Sequence, residues 1–195
     1  DLVCLVNHLS LKDLIIVGHS MGGKTAYIYA SQHPHTTKGL VIVDTGPESD
    51  TEGLRRISHF ISQPDEFSSF EEFAKHVQSY TGRPLHMVKG SLKHSVRQTL
   101  TGTWTWKYDK AIRIPSFYSK DWSSCQLWKA LLQITCPTLV IRAENSDIFP
   151  NTTYQKMISS MRAATGKLVK NAGHLIQGDN PSGFLQALRP FIDSL

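Results

Sequence analysis

The stretch of sequence that decides the fold covers residues 14–23 and reads LIIVGHSMGG. Its first four residues form a continuous apolar run, which is typical of a strand buried on both faces in a parallel sheet. Glycines then interrupt the run, and residues 24–33 have the pattern of a helix that stops before Pro34. The sequence therefore predicts a strand, a sharp turn and a helix in succession.

The turn between this strand and this helix fits the pattern Gly-x-Ser-x-Gly at residues 18–22. The small residues Gly18 and Gly22 let the neighbouring chain pass, so that the serine hydroxyl stands clear at the carboxyl end of the sheet. The N–H of the next residue opens the helix and can point at a developing oxyanion. The turn therefore predicts Ser20 as a nucleophile and Met21 as an oxyanion donor.

The rest of the chain predicts an α/β fold built on a parallel sheet. Strands are predicted at residues 14–17, 39–43 and 137–142, and a further short strand is predicted at 167–170. Helical patterns separate or follow them, as strand–helix–strand crossovers require.

A long middle segment has a different character from the sheet-forming parts. Residues 48–130 are polar and helical in pattern, contain all four tryptophans and show no buried-strand run. We therefore predict a core formed by residues 1–47 and 131–195, interrupted by a mostly helical insertion at 48–130.

A serine hydroxyl is a weak nucleophile, so Ser20 needs a base, and the base needs a carboxylate that orients it. His174 follows the last predicted strand, in a loop that reaches the carboxyl ends of the strands. Asp147 follows the strand at 137–142 and is the expected acid. Asp44, at the end of the second strand, and Glu144 are the alternatives.

Composition limits the other classes of function. The chain has 195 residues and a net charge of +5, but no block of five or six like charges that would indicate nucleic-acid binding. Three scattered cysteines give neither a disulfide framework nor a metal motif, and no His/Cys cluster predicts a metal or cofactor. No apolar run is long enough to span a membrane, and the first residues do not form a signal peptide, so a cytoplasmic location is expected.

Four segments together resemble the α/β-hydrolase superfamily, and within it the small-ester hydrolases with a helical cap. The four segments are VGHSMGG (17–23), LVIVDTGP (40–47), PTLVIRAENSD (137–147) and NAGHLIQGDNP (171–181). The resemblance implies an α/β-hydrolase fold with Ser20 as nucleophile, Asp147 as acid, His174 as base and Met21 in the oxyanion hole, without cofactor or metal. It also implies that residues 48–130 are the cap, whose aromatic side chains surround a substrate. These aromatic residues are Trp104, Trp106, Tyr108, Phe117, Tyr118, Trp122 and Trp128.

The chain departs from the family that it resembles at its start, because family members have several strands before the turn that carries the nucleophile. The strand at 14–17 is therefore predicted to lie at a sheet edge, where it could pair with a second copy of the chain. The second oxyanion donor, which family members carry in those earlier strands, has no match here.

The expected function is hydrolysis of a small carboxylic ester or thioester through an acyl-enzyme. The alternatives are a catalytically impaired, ligand-binding module and a cofactor-free lyase or haloperoxidase that uses the same triad.

Overall fold

The computed structural model describes residues 1–114 and 122–195. The chain forms two compact units, one of Asp1–Leu54 with Trp122–Leu195 and the other of Arg55–Asp121. These bounds differ from those of the predicted insertion by several residues at each end. Phe117 and Tyr118, predicted to surround a substrate, lie outside the described residues.

The helices and strands of the described residues have the following bounds. In chain order they are α1 (Leu2–His8), β1 (Leu14–His19), α2 (Met21–Gln32), β2 (Thr37–Val43), α3 (Thr51–Ser62), β3 (Glu66–Phe67), α4 (Phe70–Thr81), α5 (Leu85–Ser95), β4 (Val96–Gln98), β5 (Trp104–Trp106), a 3-10 helix (Lys110–Arg113), α6 (Ser124–Gln133), β6 (Thr138–Ala143), α7 (Asn151–Ser160), β7 (Ala164–Val169), α8 (Ile176–Asp179) and α9 (Pro181–Asp193).

The first unit is built on a parallel sheet whose strand order is β1-β2-β6-β7. All four predicted strands are present, so the predicted α/β fold on a parallel sheet is confirmed. The two middle strands are almost completely buried, which explains their unbroken apolar runs.

Both faces of the sheet are covered because successive side chains of a strand point to opposite sides. Leu40 and Ile42 lie in one apolar cluster together with residues of α2, α6 and α7. Val41 and Val43 lie in a second cluster, which includes residues of α9. Each such side chain contributes about 1.5–3 kcal/mol on burial, so the packing fixes the middle strands firmly.

Strand β1 lies at the edge of this sheet among the described strands, since it pairs only with β2. Val17 in this strand is 46% exposed. The predicted edge position is therefore confirmed, and pairing of this edge with a second copy stays a prediction.

The second unit contains a small antiparallel sheet with the order β3-β5-β4, in addition to α4 and α5. The sequence prediction of a mostly helical segment missed this sheet, because strands of two or three residues are too short to show a period. Trp104 and Trp106 pack against its apolar cluster, with the Trp106 ring edge-on to Phe73 at 4.8 Å between centroids. The prediction that residues of this segment cap the active site stays a prediction.

Trp128, also predicted to surround a substrate, belongs to the first unit. Its indole N–H donates to the Glu48 carboxylate at 2.8 Å, and the Lys156 ammonium lies 4.2 Å from its ring centroid. The indole hydrogen bond lowers the pKa of Glu48 most, and the positive charge of Lys156 lowers it further.

Candidate active site

Ser20 lies at the turn between β1 and α2 and has an unusual backbone conformation. Its φ is 53° and its ψ is −122°, a combination that is strained for a residue with a side chain. The turn places Ser20 at the N-terminus of α2 and at the carboxyl end of β1. Strain held at one residue by a rigid strand and helix is common where a side chain must be presented for chemistry.

Two glycines make this turn possible, and only one of them, Gly18, is a glycine that the sequence pattern predicted to be required. A Cβ on Gly18 would run into the Gly22 carbonyl group, and a Cβ on Gly23 would lie 2.9 Å from the Gly18 oxygen. A Cβ on Gly22 would meet nothing within 4 Å among the described residues. The need for small residues therefore falls on Gly18 and Gly23, and the expectation for Gly22 was wrong.

His174 lies in the loop between β7 and α8 and joins Ser20 to a buried carboxylate. Its Nε2 lies 3.0 Å from Ser20 Oγ, and its Nδ1 lies 2.9 Å from Asp44 Oδ2. Because a carboxylate only accepts, Nδ1 carries the proton and donates it to Asp44, which leaves Nε2 as the acceptor for the serine hydroxyl. The three side chains form one continuous line of hydrogen bonds.

The loop that carries His174 is held from both sides. The Gly173 N–H donates to Asp179 Oδ2 at 3.0 Å, and the Asn171 N–H donates to Glu144 Oε2 at 2.9 Å. These contacts anchor the backbone immediately before His174. The position of the imidazole therefore does not depend on the hydrogen bonds of the ring alone.

Asp44 follows β2 directly and is fully buried. Its Oδ1 accepts from the Ala143 N–H at 2.8 Å, and its Oδ2 accepts from the Ser146 hydroxyl at 2.6 Å as well as from His174. A buried carboxylate without partners would be costly, and three donors offset that cost. Asp44 is therefore suited to orient the imidazole and to stabilise an imidazolium.

The structure corrects the assignment of the acid, because Asp44 rather than Asp147 accepts from His174 Nδ1. The physical reason is the strand order. In the register of the sheet His19 lies opposite Val43, so the residue after Val43 stands beside Ser20. The carboxylate of Glu144, the other alternative, is instead bonded to the Asn171 N–H.

Two further side chains support the triad and were not found from the sequence. Ser146 donates to Asp44 and accepts from the Phe149 N–H at 3.0 Å, which ties the loop after β6 to the acid. His19 donates a hydrogen bond from its Nε2 to the main-chain oxygen of His174 at 2.7 Å. Burial lowers the pKa of His19, and the neighbouring His174 lowers it further. No local signal marks either residue, since both contacts join segments that are distant in the sequence.

Other kinds of site are not evident in the part of the chain that the structure describes. No group of three or more His, Cys, Asp or Glu side chains there could hold a metal ion. No helix within residues 1–114 and 122–195 is long and apolar enough to cross a membrane.

Ser20 lies at a strained strand-to-helix turn of a parallel sheet and is hydrogen-bonded to a histidine, which in turn contacts a buried aspartate. This arrangement is typical of the α/β class of proteins with a Ser-His-Asp site. The family model described as "alpha/beta hydrolase fold" matches residues 1–181. The chain therefore belongs to the α/β-hydrolase family, and the resemblance found in the sequence is confirmed.

Relatives in this family include esterases and lipases. The chain is 27% identical over 208 residues to the sn-1-specific diacylglycerol lipase ABHD11 of Mus musculus, covering 98% of this chain and 63% of that protein. It is 25% identical over 185 residues to the 3-hydroxybutyrate-oligomer hydrolase of Cupriavidus necator, covering 89% of this chain and 63% of that protein. The chain thus spans less than two thirds of the length of these relatives.

Solved structures agree on the fold. The chain superimposes on an alpha/beta hydrolase from Novosphingobium aromaticivorans with a TM-score of 0.86 and 24% identity, covering all of this chain and 70% of that one. At this identity the likeness concerns the fold alone.

Proposed function

We propose that this chain carries the catalytic site of a serine hydrolase that cleaves a small carboxylic ester or thioester. The observation that supports this most directly is the line of hydrogen bonds from Ser20 through His174 to Asp44, at 3.0 and 2.9 Å. The names of two relatives point the same way, since diacylglycerols and 3-hydroxybutyrate oligomers are carboxylic esters.

In the proposed first step, Ser20 Oγ bonds to the substrate carbonyl carbon while His174 Nε2 takes the hydroxyl proton. The carbonyl oxygen becomes an oxyanion, which the Met21 N–H at the start of α2 stabilises. The new imidazolium is held by Asp44, whose carboxylate faces Nδ1. The bond from the carbonyl carbon to the leaving oxygen or sulfur then breaks, His174 gives its proton to that leaving atom, and an acyl-enzyme remains.

In the second step a water molecule replaces the leaving group. His174 Nε2 takes one proton from the water as the water oxygen attacks the acyl carbon. His174 then gives this proton to Ser20 Oγ as the bond between Oγ and the acyl carbon breaks and the carboxylic acid leaves. Serine, histidine and aspartate are regenerated, so the reaction consumes one ester and one water.

The experiment that tests this proposal is covalent labelling of the 195-residue chain with a fluorophosphonate probe. Stoichiometric modification mapped to Ser20, absent from Ser20→Ala and strongly slowed in His174→Ala, is the expected result. Hydrolysis of p-nitrophenyl esters of increasing acyl length, measured by the release of p-nitrophenol, then defines the substrate preference. A folded chain that takes up no label and turns over no ester would refute the proposed catalysis and favour a ligand-binding role.

A further inference from the structure

His19, the residue before the nucleophile, makes a contact that the three-residue triad does not account for. Its Nε2 lies 2.7 Å from the main-chain oxygen of His174, across 155 positions of the sequence. The two imidazole rings lie 4.6 Å apart between centroids, tilted by 40°. Resting on the proposed function, we infer that His19 is a positioning residue that sets where His174 stands relative to Ser20.

His19 lies on a strand end that is held in place by the sheet. It is the last residue of β1, and its register partner is Val43. The next residue, Ser20, donates its backbone N–H to the Val43 oxygen at 3.0 Å. His19 and Ser20 are thus fixed on the same strand end. A hydrogen bond from His19 to the His174 backbone therefore fixes the position of His174 relative to Ser20.

The base, in contrast, comes from a loop. The side chain of His174 has two partners, Ser20 and Asp44, and both of its hydrogen bonds change during the reaction as the proton moves. The bond from His19 goes to the backbone oxygen and does not change with the protonation of the His174 ring. It therefore holds the His174 backbone at the same distance from the elbow through every step.

The chemistry of the contact fixes the form of His19 that is needed. A carbonyl oxygen only accepts, so Nε2 must carry the proton, and a neutral ring protonated at Nε2 is sufficient. Burial lowers the pKa of His19, which favours this neutral form. A neutral neighbour does not oppose the positive charge that His174 acquires when it takes the proton of Ser20.

The test compares a substitution that can keep a hydrogen-bond donor with one that removes the donor. Gln in His19→Gln can place an amide N–H near the position of Nε2, whereas Phe in His19→Phe keeps a ring of similar size without a donor. For His19→Phe we expect kcat for a p-nitrophenyl ester to fall by about 10- to 100-fold with KM within about threefold, since small misplacements of a catalytic group have effects of this order. For His19→Gln we expect kcat to stay within about threefold of wild type.

The matched control is His33→Phe, which replaces a histidine that stacks on Tyr29 outside the site. It should leave both kinetic constants unchanged. If His19→Phe keeps full kcat, or if His19→Gln loses as much activity as His19→Phe, the inference is overturned.

A second measurement is independent of catalysis and of the folding of the variants. Two-bond ¹H–¹⁵N correlation spectra of the wild-type chain report which ring nitrogen of each histidine carries the proton. The expected result is protonation of His19 at Nε2, and protonation at Nδ1 would overturn the inference. A wild-type chain with the expected His19 spectrum but no Ser20 labelling would refute the proposed function while leaving the positioning contact in place.

Discussion

Replacing Asp44 by Asn tests the assignment of the acid, because the structure leaves an amide only one orientation. The amide oxygen must take the place of Oδ1, where the Ala143 N–H donates at 2.8 Å, since the amide NH₂ there would oppose that donor. The NH₂ group then faces His174 Nδ1 at the position of Oδ2. It donates to Nδ1, which moves the imidazole proton to Nε2, and Nε2 can no longer accept from Ser20.

The expected magnitude follows from the loss of the correct tautomer. A triad whose histidine is held in the wrong tautomer loses about 10⁴ in kcat, which corresponds to about 5 kcal/mol of barrier stabilisation. Since the Ser146 hydroxyl also faces the new NH₂, we expect a lower free energy of unfolding, by about 1–3 kcal/mol.

The assay is the rate of Ser20 labelling by a fluorophosphonate together with kcat for a p-nitrophenyl ester, on variants shown to be folded by circular dichroism. Asp147→Asn is the matched control, because Asp147 lies in the loop after β6 and its substitution changes the charge by the same amount. We expect that control to retain activity within about tenfold. An active Asp44→Asn beside an inactive Asp147→Asn would refute the reasoning.

Three more outcomes are expected. Ser146→Ala removes the donor that lies 2.6 Å from Asp44, and urea titration should show about 1–3 kcal/mol less stability. Gly18→Ala puts a Cβ against the Gly22 carbonyl group and should leave little folded chain by circular dichroism, whereas Gly22→Ala, with open space and a helical position, should be neutral or stabilising by up to about 1 kcal/mol. Because the pKa of the half-buried His19 is below its ordinary value of 6.5, the unfolded chain binds this proton first as pH falls. Stability should therefore decrease below about pH 6.5, and urea titrations at about pH 7.5 and about pH 5.5 should show a smaller decrease for His19→Gln.

The sequence predicted several features whose signals are local. Three of the four parallel strands were predicted because each contains a short apolar run, and Ser20 was predicted because its turn needs glycine at Gly18. His174 was predicted because it follows the last strand in a loop led by glycine. In each of these cases, the residues that determine the feature are neighbours in the chain.

The features that were missed depend on contacts between distant segments. The bond from His19 to the His174 backbone and the bond from Ser146 to Asp44 each join two loops or strand ends that meet only in the folded sheet. The sheet formed by β3, β4 and β5 was missed for another reason, since its strands are too short for a period and are held by aromatic packing around Phe73.

The error over the acid shows how the strand order decides between residues of the same kind. Asp44 follows β2 and Ser146 lies in the loop after β6, and these two strands are neighbours, so both residues reach the same space beside His174. Their oxygens are 2.6 Å apart, which is a hydrogen-bond distance, so the position of Ser146 suits a donor such as a hydroxyl and not a second carboxylate. Asp44 and Ser146 therefore have to be considered together, because a donor in the loop after β6 favours a carboxylate at the end of β2. The sequence alone does not show this relation, since it depends on β2 and β6 being adjacent in the sheet.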